Sequence, residues 1–276
     1  MSDARPVWVL GGGGISGIAW QTGLLAGLAD EGLTVSADAI IIGTSAGAVV
    51  GANIASGTSA AELYDRQIAG VAQKPSAALG LGAVLALVRA QLGARSPQRA
   101  AQRIGRLALA ADARDPAEYR SSIEARLVAH DWTAADLRLT AVDVATGELR
   151  VFTRADGVSL VDAVGASCAV PMSVSPVRID GNRYMDGGMR STLNLDLAPG
   201  DGPVFALAPS TAAIGRWARI GRQRRSLDAG RRVEMVYRDA ASRRAQGSAV
   251  MDPSIVPALA AAGREQGRRE AERLAL

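Results

Sequence analysis

The chain alternates short unbroken apolar runs with longer stretches of helical periodicity, the pattern of an α/β protein. Pro6 to Leu10 reads as a first strand. It has no polar alternation, as expected of a strand covered on both faces. From Ile18 to Glu31 the apolar positions Ile18, Trp20, Leu24, Leu25 and Leu28 recur at roughly helical spacing, and Gly32 suits the helix end. Ala39 to Ile42 is a second buried strand, followed by a sharp turn and a helix of small residues to about Ser56. Strand, helix, strand and helix at this spacing predict a right-handed βαβ unit and a parallel sheet.

Thr58 to Arg114 is alanine-rich and reads as mostly helical. Its middle, Pro75 to Ser96, carries several glycines and the apolar run Ala77–Val88. This region reads either as a lid over a site or as a core helix pair. A further helix is predicted from Asp115-Pro116 to about His130. Leu137 to Val144 reads as a strand, Thr146-Gly147 as a turn and Glu148 to Thr153 as the hairpin partner. A short helix from Leu160 to Ala169 ends at Val170-Pro171. Val177–Ile179 and Arg183–Met185 flank an Asp180-Gly181-Asn182 turn. Val204 to Leu207 is read as the last strand and everything after it as helical. No boundary interrupts the pattern, so residues 1–276 are expected to form one domain. Its parts are a core over about 7–207, a helical insert over about 58–130 and an arginine-rich helical part over about 208–276.

Composition narrows the class. Hydrophobic residues are 48% of the chain, enough for a sizeable core, while aromatic residues are only 4%. The single cysteine, Cys168, rules out an internal disulfide and fits a reducing compartment. The first residues run almost straight into a strand, so no secretory signal is read and a cytoplasmic location is expected. Ala77–Val88 is shorter than the roughly 20 residues a membrane-spanning helix needs. The formal charge of +4 is an arginine effect, since Lys74 is the only lysine. The excess gathers late, from Arg216 through Arg231 and Arg232 to Arg238, Arg243 and Arg244. It reads as a solvated helix face, or as a surface for peripheral contact with anionic lipid. No nucleic-acid partner is expected, because the run lacks interleaved aromatic residues.

The candidate chemistry sits at the end of the second strand. Gly43, Ser45 and Gly47 fit the G-x-S-x-G nucleophile elbow, here after the β-branched run Ile40-Ile41-Ile42 and before a helix. A helix starting just after Ser45 puts free N–H groups near the serine oxygen. Gly11 to Gly17 is a second glycine loop, and Gly12, Gly14 and Gly17 also fit G-x-G-x-x-G. A dinucleotide site would need an acidic residue at the end of the second strand, which instead ends Gly43-Thr44-Ser45. A P-loop would need a lysine that the loop lacks. An oxyanion hole made by N–H groups of Gly12, Gly13 and Gly14 explains the loop better.

A serine nucleophile needs a base. The only histidine, His130, sits at a predicted helix end well before the C-terminus, where it reads as a surface or capping residue. Asp186, in Tyr184-Met185-Asp186-Gly187-Gly188-Met189, is the better candidate. It ends a short strand, and the two following glycines leave its carboxylate accessible. A carboxylate in hydrogen-bond reach can take the serine proton directly. Taken alone, Asp-Gly-Gly reads first as a turn.

Gly12-Gly13-Gly14-Ile15-Ser16-Gly17, then Gly43-Thr44-Ser45-Ala46-Gly47, then Asp186-Gly187-Gly188, in this order and spacing, resemble the patatin-like phospholipases. Ala141 to Glu148, Asp162 to Pro171 and the Pro176–Gly181 approach to Asp186 are similar to that family too. The resemblance covers about Val7 to Leu207. It implies a three-layer α/β/α fold with a mostly parallel central sheet. It also implies hydrolysis of lipid or other acyl esters by a Ser–Asp dyad, with no metal or cofactor. By position Ser45 is then the nucleophile, Asp186 the base, and Gly12 to Gly14 the source of oxyanion N–H groups. One departure stands out: Ser16 occupies a place where the family usually carries Arg or Lys. Two other readings stay open, a nucleotide- or acyl-CoA-binding module and a catalytically silent scaffold. The Ala77–Val88 run is expected to line an acyl channel or to touch lipid.

Overall fold

The computed structural model describes residues 3–70, 80–111, 115–211, 217–227, 229–248 and 251–275. The first half runs β1 (Val7–Leu10), α1 (Gly14–Asp30), β2 (Ile40–Gly43), α2 (Ala46–Ala55), α3 (Ala60–Ile68), α4 (Leu81–Gln91), α5 (Pro97–Ala110) and α6 (Pro116–Glu124). The second half runs β3 (Asp136–Asp143), β4 (Leu149–Phe152), α7 (Leu160–Ser167), β5 (Val177–Ile179), β6 (Asn182–Asp186), β7 (Val204–Ala208), α8 (Ile220–Arg224), β8 (Val233–Tyr237), α9 (Ala240–Gln246) and α10 (Val256–Ala275).

The strands form one sheet in the order β5-β6-β3-β2-β1-β7-β8, with β4 also paired to β3. β3, β2, β1, β7 and β8 are parallel, and β4, β5 and β6 add antiparallel pairs at one side. Both faces of the central strands are covered, which is why their sequences do not alternate. Trp8, Leu10 and Ile41 face a layer that includes α1, α2, α7 and α10. Val7, Val9, Ile40 and Ile42 face the opposite layer, against Leu193, Leu195 and Ile220. The expected three-layer α/β/α architecture is the observed one.

Three expectations need correction. The chain beyond β7 is not all helical: Val233–Tyr237 adds β8, in register from Val204↔Val233 to Ala208↔Tyr237. Its short apolar pattern, Val233, Met235 and Val236, was hidden by the flanking arginines, which here do structural work. Arg231 donates to the carbonyls of Ala198, Pro199 and Gly202, and Arg232 pairs with Glu234. The helix expected to reach His130 ends at Glu124, because the Asn53 side chain takes the next backbone groups. Its Nδ2 donates to Arg126 O at 3.0 Å and its Oδ1 accepts from Val128 N at 2.8 Å. The helix expected to reach Ala169 ends at Ser167.

The C-terminal helix belongs to the core. α10 lies so close along α1 that a Cβ at Gly23 would sit 2.0 Å from Ala260 O, and one at Gly267 2.2 Å from Leu24 O. Trp20 Nε1 donates to Gln266 Oε1 across the same contact. The insert contributes a hairpin, α4 and α5, whose Leu87, Ala90, Ala101 and Ile104 pack on Val142 and Met185. The start of the Ala77–Val88 run lies outside the described residues. Among the described residues no helix is long and apolar enough to cross a membrane.

Candidate active site

The turn between β2 and α2 is built by exclusion. A Cβ at Gly43 would come within 2.7 Å of Ala48 Cα, and one at Gly47 within 1.9 Å of Leu10 O. Only glycine lets the helix press this closely on the strand. Ser45 itself takes φ 53°, ψ −113°, a conformation that costs a non-glycine residue on the order of 1–3 kcal/mol. It is held there from both sides by the end of α7. Its N–H donates to Ser167 Oγ at 3.0 Å, and its carbonyl accepts from Cys168 Sγ at 3.1 Å.

Asp186 reaches the same place from β6. That strand pairs with β3 so that Ala141 stands opposite Asp186. The Asp186 N–H donates to Ala169 O at 2.9 Å, and its Oδ1 accepts from Gly188 N at 2.6 Å. The residue is 3% exposed. Burial pushes the Asp186 carboxyl up to about 6, against the opposing pull of the Ser45 hydroxyl and the Gly188 N–H. Burial and then the Asp186 charge push the Cys168 thiol well above its ordinary range. Cys168 is therefore a neutral donor, not a thiolate nucleophile.

A buried polar cluster locks the two halves together. Thr44 Oγ1 and Thr140 Oγ1 lie 2.8 Å apart, and Asn194 Nδ2 donates to Thr44 Oγ1 at 3.1 Å and to Ser191 O at 2.8 Å. Gly187 has to be glycine here, since a Cβ would sit 2.3 Å from Thr140 Oγ1. The residue before the serine, the middle of β3 and the turn after the aspartate thus share one hydrogen-bonded knot. Buried networks with satisfied partners fix geometry in this way.

The first glycine loop lies alongside. Among the described residues the backbone N–H groups of Gly13, Gly14 and Ala46 have no acceptor. Gly12 departs from expectation: its N–H is committed to Thr192 O at 2.7 Å, so it is not free to donate elsewhere. Ser16 is fully buried and donates from Oγ to Gly13 O at 2.9 Å. It accepts in turn from Arg238 Nη2 at 3.2 Å. Arg238, just past β8, is 8% exposed, and among the described residues no carboxylate pairs with it. Burial lowers its pKa to about 10, which leaves it charged near neutral pH. A positive charge therefore stands beside the loop after all, delivered from a distant strand.

A small cavity of about 70 Å³ opens on Ser45, walled by Ile15, Ile18, Val49, Val174 and Met251. None of the described residues of the Ala77–Val88 run lines it, so the expected acyl-channel role is not seen for residues 80–88. His130 is exposed, its Nε2 3.1 Å from Glu124 O, and does not line the cavity either. No cluster of metal-ligating side chains occurs among the described residues. Thr140, Asn194 and Arg238 carry no motif of their own, and only the fold brings them to the site.

A strained serine elbow and a loop of unpaired N–H groups at the ends of parallel strands, with a buried carboxylate at the end of the antiparallel β6, mark the candidate site of this α/β protein. The chain belongs to the patatin-like phospholipase family, whose model matches residues 8–199. Among solved structures it is similar to VipD from Legionella pneumophila, with 15% identity and a TM-score of 0.45, over 76% of this chain and 51% of that one. It is also similar to the ExoU–SpcU complex of the type III secretion system of Pseudomonas aeruginosa. There the identity is 17% and the TM-score 0.42, over 99% of this chain and 52% of that one. The chain thus spans about half the length of the solved chains it matches. No curated protein matches it.

Proposed function

We propose that the protein hydrolyses lipid acyl esters through an acyl-enzyme, with Ser45 as nucleophile and Asp186 as the base. The observation that carries this reading is the pairing of a backbone-strained serine with a fully buried carboxylate whose pKa is raised toward neutrality. Ser45 Oγ attacks the acyl carbonyl as the Asp186 carboxylate takes its proton. The N–H groups of Gly13, Gly14 and Ala46 face the developing oxyanion; Gly12, whose N–H is spent on Thr192, is left out of that set. Asp186 then returns its proton to the leaving alcohol; it later draws one from the attacking water and passes it to Ser45 Oγ as the acid departs. No metal or cofactor takes part in this scheme. A lipid substrate follows from the family and from the apolar wall of the cavity. The single cysteine keeps a reducing, cytoplasmic setting as the proposed location, with peripheral contact at a membrane.

A fluorophosphonate probe tests the nucleophile. Labelling of the wild type that disappears in Ser45→Ala supports the proposal. A folded wild type that takes no label would refute it and favour a binding or scaffold role.

A further inference from the structure

Many of the late arginines are committed within the fold. Arg231, Arg232, Arg238, Arg264, Arg268, Arg269 and Arg273 are engaged by carbonyls, carboxylates or a hydroxyl of the fold. The basic surface with an apolar component lies elsewhere, on the α4–α5 hairpin.

Between Asp65 and Asp112 the chain has no acidic residue at all, yet it carries Arg66, Lys74, Arg89, Arg95, Arg99, Arg103 and Arg106. Arg89, Arg95, Arg99 and Arg106 are exposed and make no ion pair among the described residues. On α4 and its cap, Val84, Leu85, Val88 and Leu92 are 42%, 52%, 44% and 66% exposed. They fall at helical spacing on one stripe, opposite the inward Leu87 and Ala90. Arg99, Arg103 and Arg106 form the outward stripe of α5, and Arg103 Nη1 donates to Leu92 O at 3.0 Å, which sets the two stripes side by side.

We infer that the α4–α5 hairpin is the surface by which the protein docks on an anionic lipid bilayer. An apolar row flanked by cations with no acid between them matches both layers of such a surface. The side chains enter the acyl boundary while the arginines meet headgroup phosphates. Nucleic acid would use the charge but not the apolar row. A second copy of the chain would bring the same cations against themselves. Among the described residues Arg222 and Arg224 of α8 make no ion pair, and no such exposed apolar row lies beside them. The hairpin packs on Met185, the residue before Asp186, so the docking surface rests directly on the strand that carries the proposed base. The inference deepens the proposed function, resting on its reading that the substrate is a lipid.

Co-sedimentation with vesicles tests it without relying on catalysis. The full chain, as wild type and as Ser45→Ala to preserve the vesicles, is mixed with phosphatidylcholine alone or with one part phosphatidylglycerol to three of phosphatidylcholine. Binding is expected to the mixed vesicles only, and to weaken as salt is raised. Arg99→Glu with Arg106→Glu should weaken it by more than tenfold, since each basic side chain at an anionic surface is worth about fivefold. Leu85→Asp with Val88→Asp should abolish it at every salt concentration. Both pairs are exposed, so thermal melting and hydrolysis of a soluble short-chain ester should stay as in the wild type. Wild type that remains in the supernatant, or variants that bind as it does, would overturn the inference. So would a greater loss from Arg222→Glu with Arg224→Glu, or a change of oligomeric state in Leu85→Asp with Val88→Asp that leaves vesicle binding intact. If vesicles bind but no ester is cleaved, the docking surface stands and the proposed function falls.

Discussion

Asp186→Asn is expected to make the protein more stable while silencing it. The carboxyl is fully buried, and its pKa rises from 3.8 to about 6 in the fold. A group whose folded pKa is raised adds stability only while protonated. That stability is present below about pH 4 and lost as the pH climbs through 6. The shift corresponds to about 3 kcal/mol that the wild type forgoes at pH 8. Asparagine keeps the size of the side chain and an Oδ1 to accept from Gly188 N, but carries no charge to bury. For a chain of 276 residues, about 3 kcal/mol moves the melting temperature by roughly 5 °C. Melting followed by circular dichroism should therefore place Asp186→Asn about 5 °C above wild type at pH 8. The gap should close to within about 1 °C by pH 4, where the folded carboxyl is protonated and the unfolded one, with its pKa of 3.8, is only partly ionised. Other groups titrate identically in the two proteins and cancel in the difference. Ester hydrolysis by the variant should fall about 10²- to 10⁴-fold, the usual worth of a general base. A variant less stable than wild type at pH 8, or a gap that does not depend on pH, would refute the electrostatic reasoning. Undiminished hydrolysis would refute the assignment of the base.

Two further outcomes follow from the same site. Wild-type kcat/KM on a soluble ester should rise with pH to a plateau, with a midpoint near 6, as Asp186 loses its proton; a profile flat from pH 5 to 8 would contradict this. Arg238→Met should lower kcat about tenfold with KM little changed and the melting temperature held or raised, because a buried cation beside the glycine loop is relinquished. Arg238→Lys should recover part of the loss, whereas a variant that melts early and retains kcat would make Arg238 a purely structural residue.

Much of the candidate site was legible because it is local. Four apolar residues followed by glycines specify β1 and its loop, and Ile40 to Gly47 carries strand, elbow and helix start within a few positions. Asp186 was legible once His130 was set aside as a base, and the likeness to a family reinforced it, since Asp-Gly-Gly alone has several uses. What escaped is what the sheet register creates. Thr44, Thr140 and Asn194 are far apart in the chain and meet because β2, β3 and the turn after β6 converge. Arg238 lies 222 positions from Ser16. The helix end at Glu124 was hidden because its stop signal, Asn53, is on another helix. β8 was missed because its flanking arginines suggest a solvated helix face, whereas one of them is spent on three carbonyls of a neighbouring loop.

The position of Arg238 bears on how the chain can be handled. The family's motifs end by residue 199, and a fragment cut there keeps the elbow, the glycine loop and the Asp-Gly-Gly turn. It loses β7, β8 and α10, and with them the interlocked partner of α1 and the cation that holds Ser16. The stretch of sequence that marks the family is shorter than the stretch that folds the domain. A minimal version has to be trimmed after α10, and a break placed between β7 and β8 would yield two halves that recover the site only by reassembling.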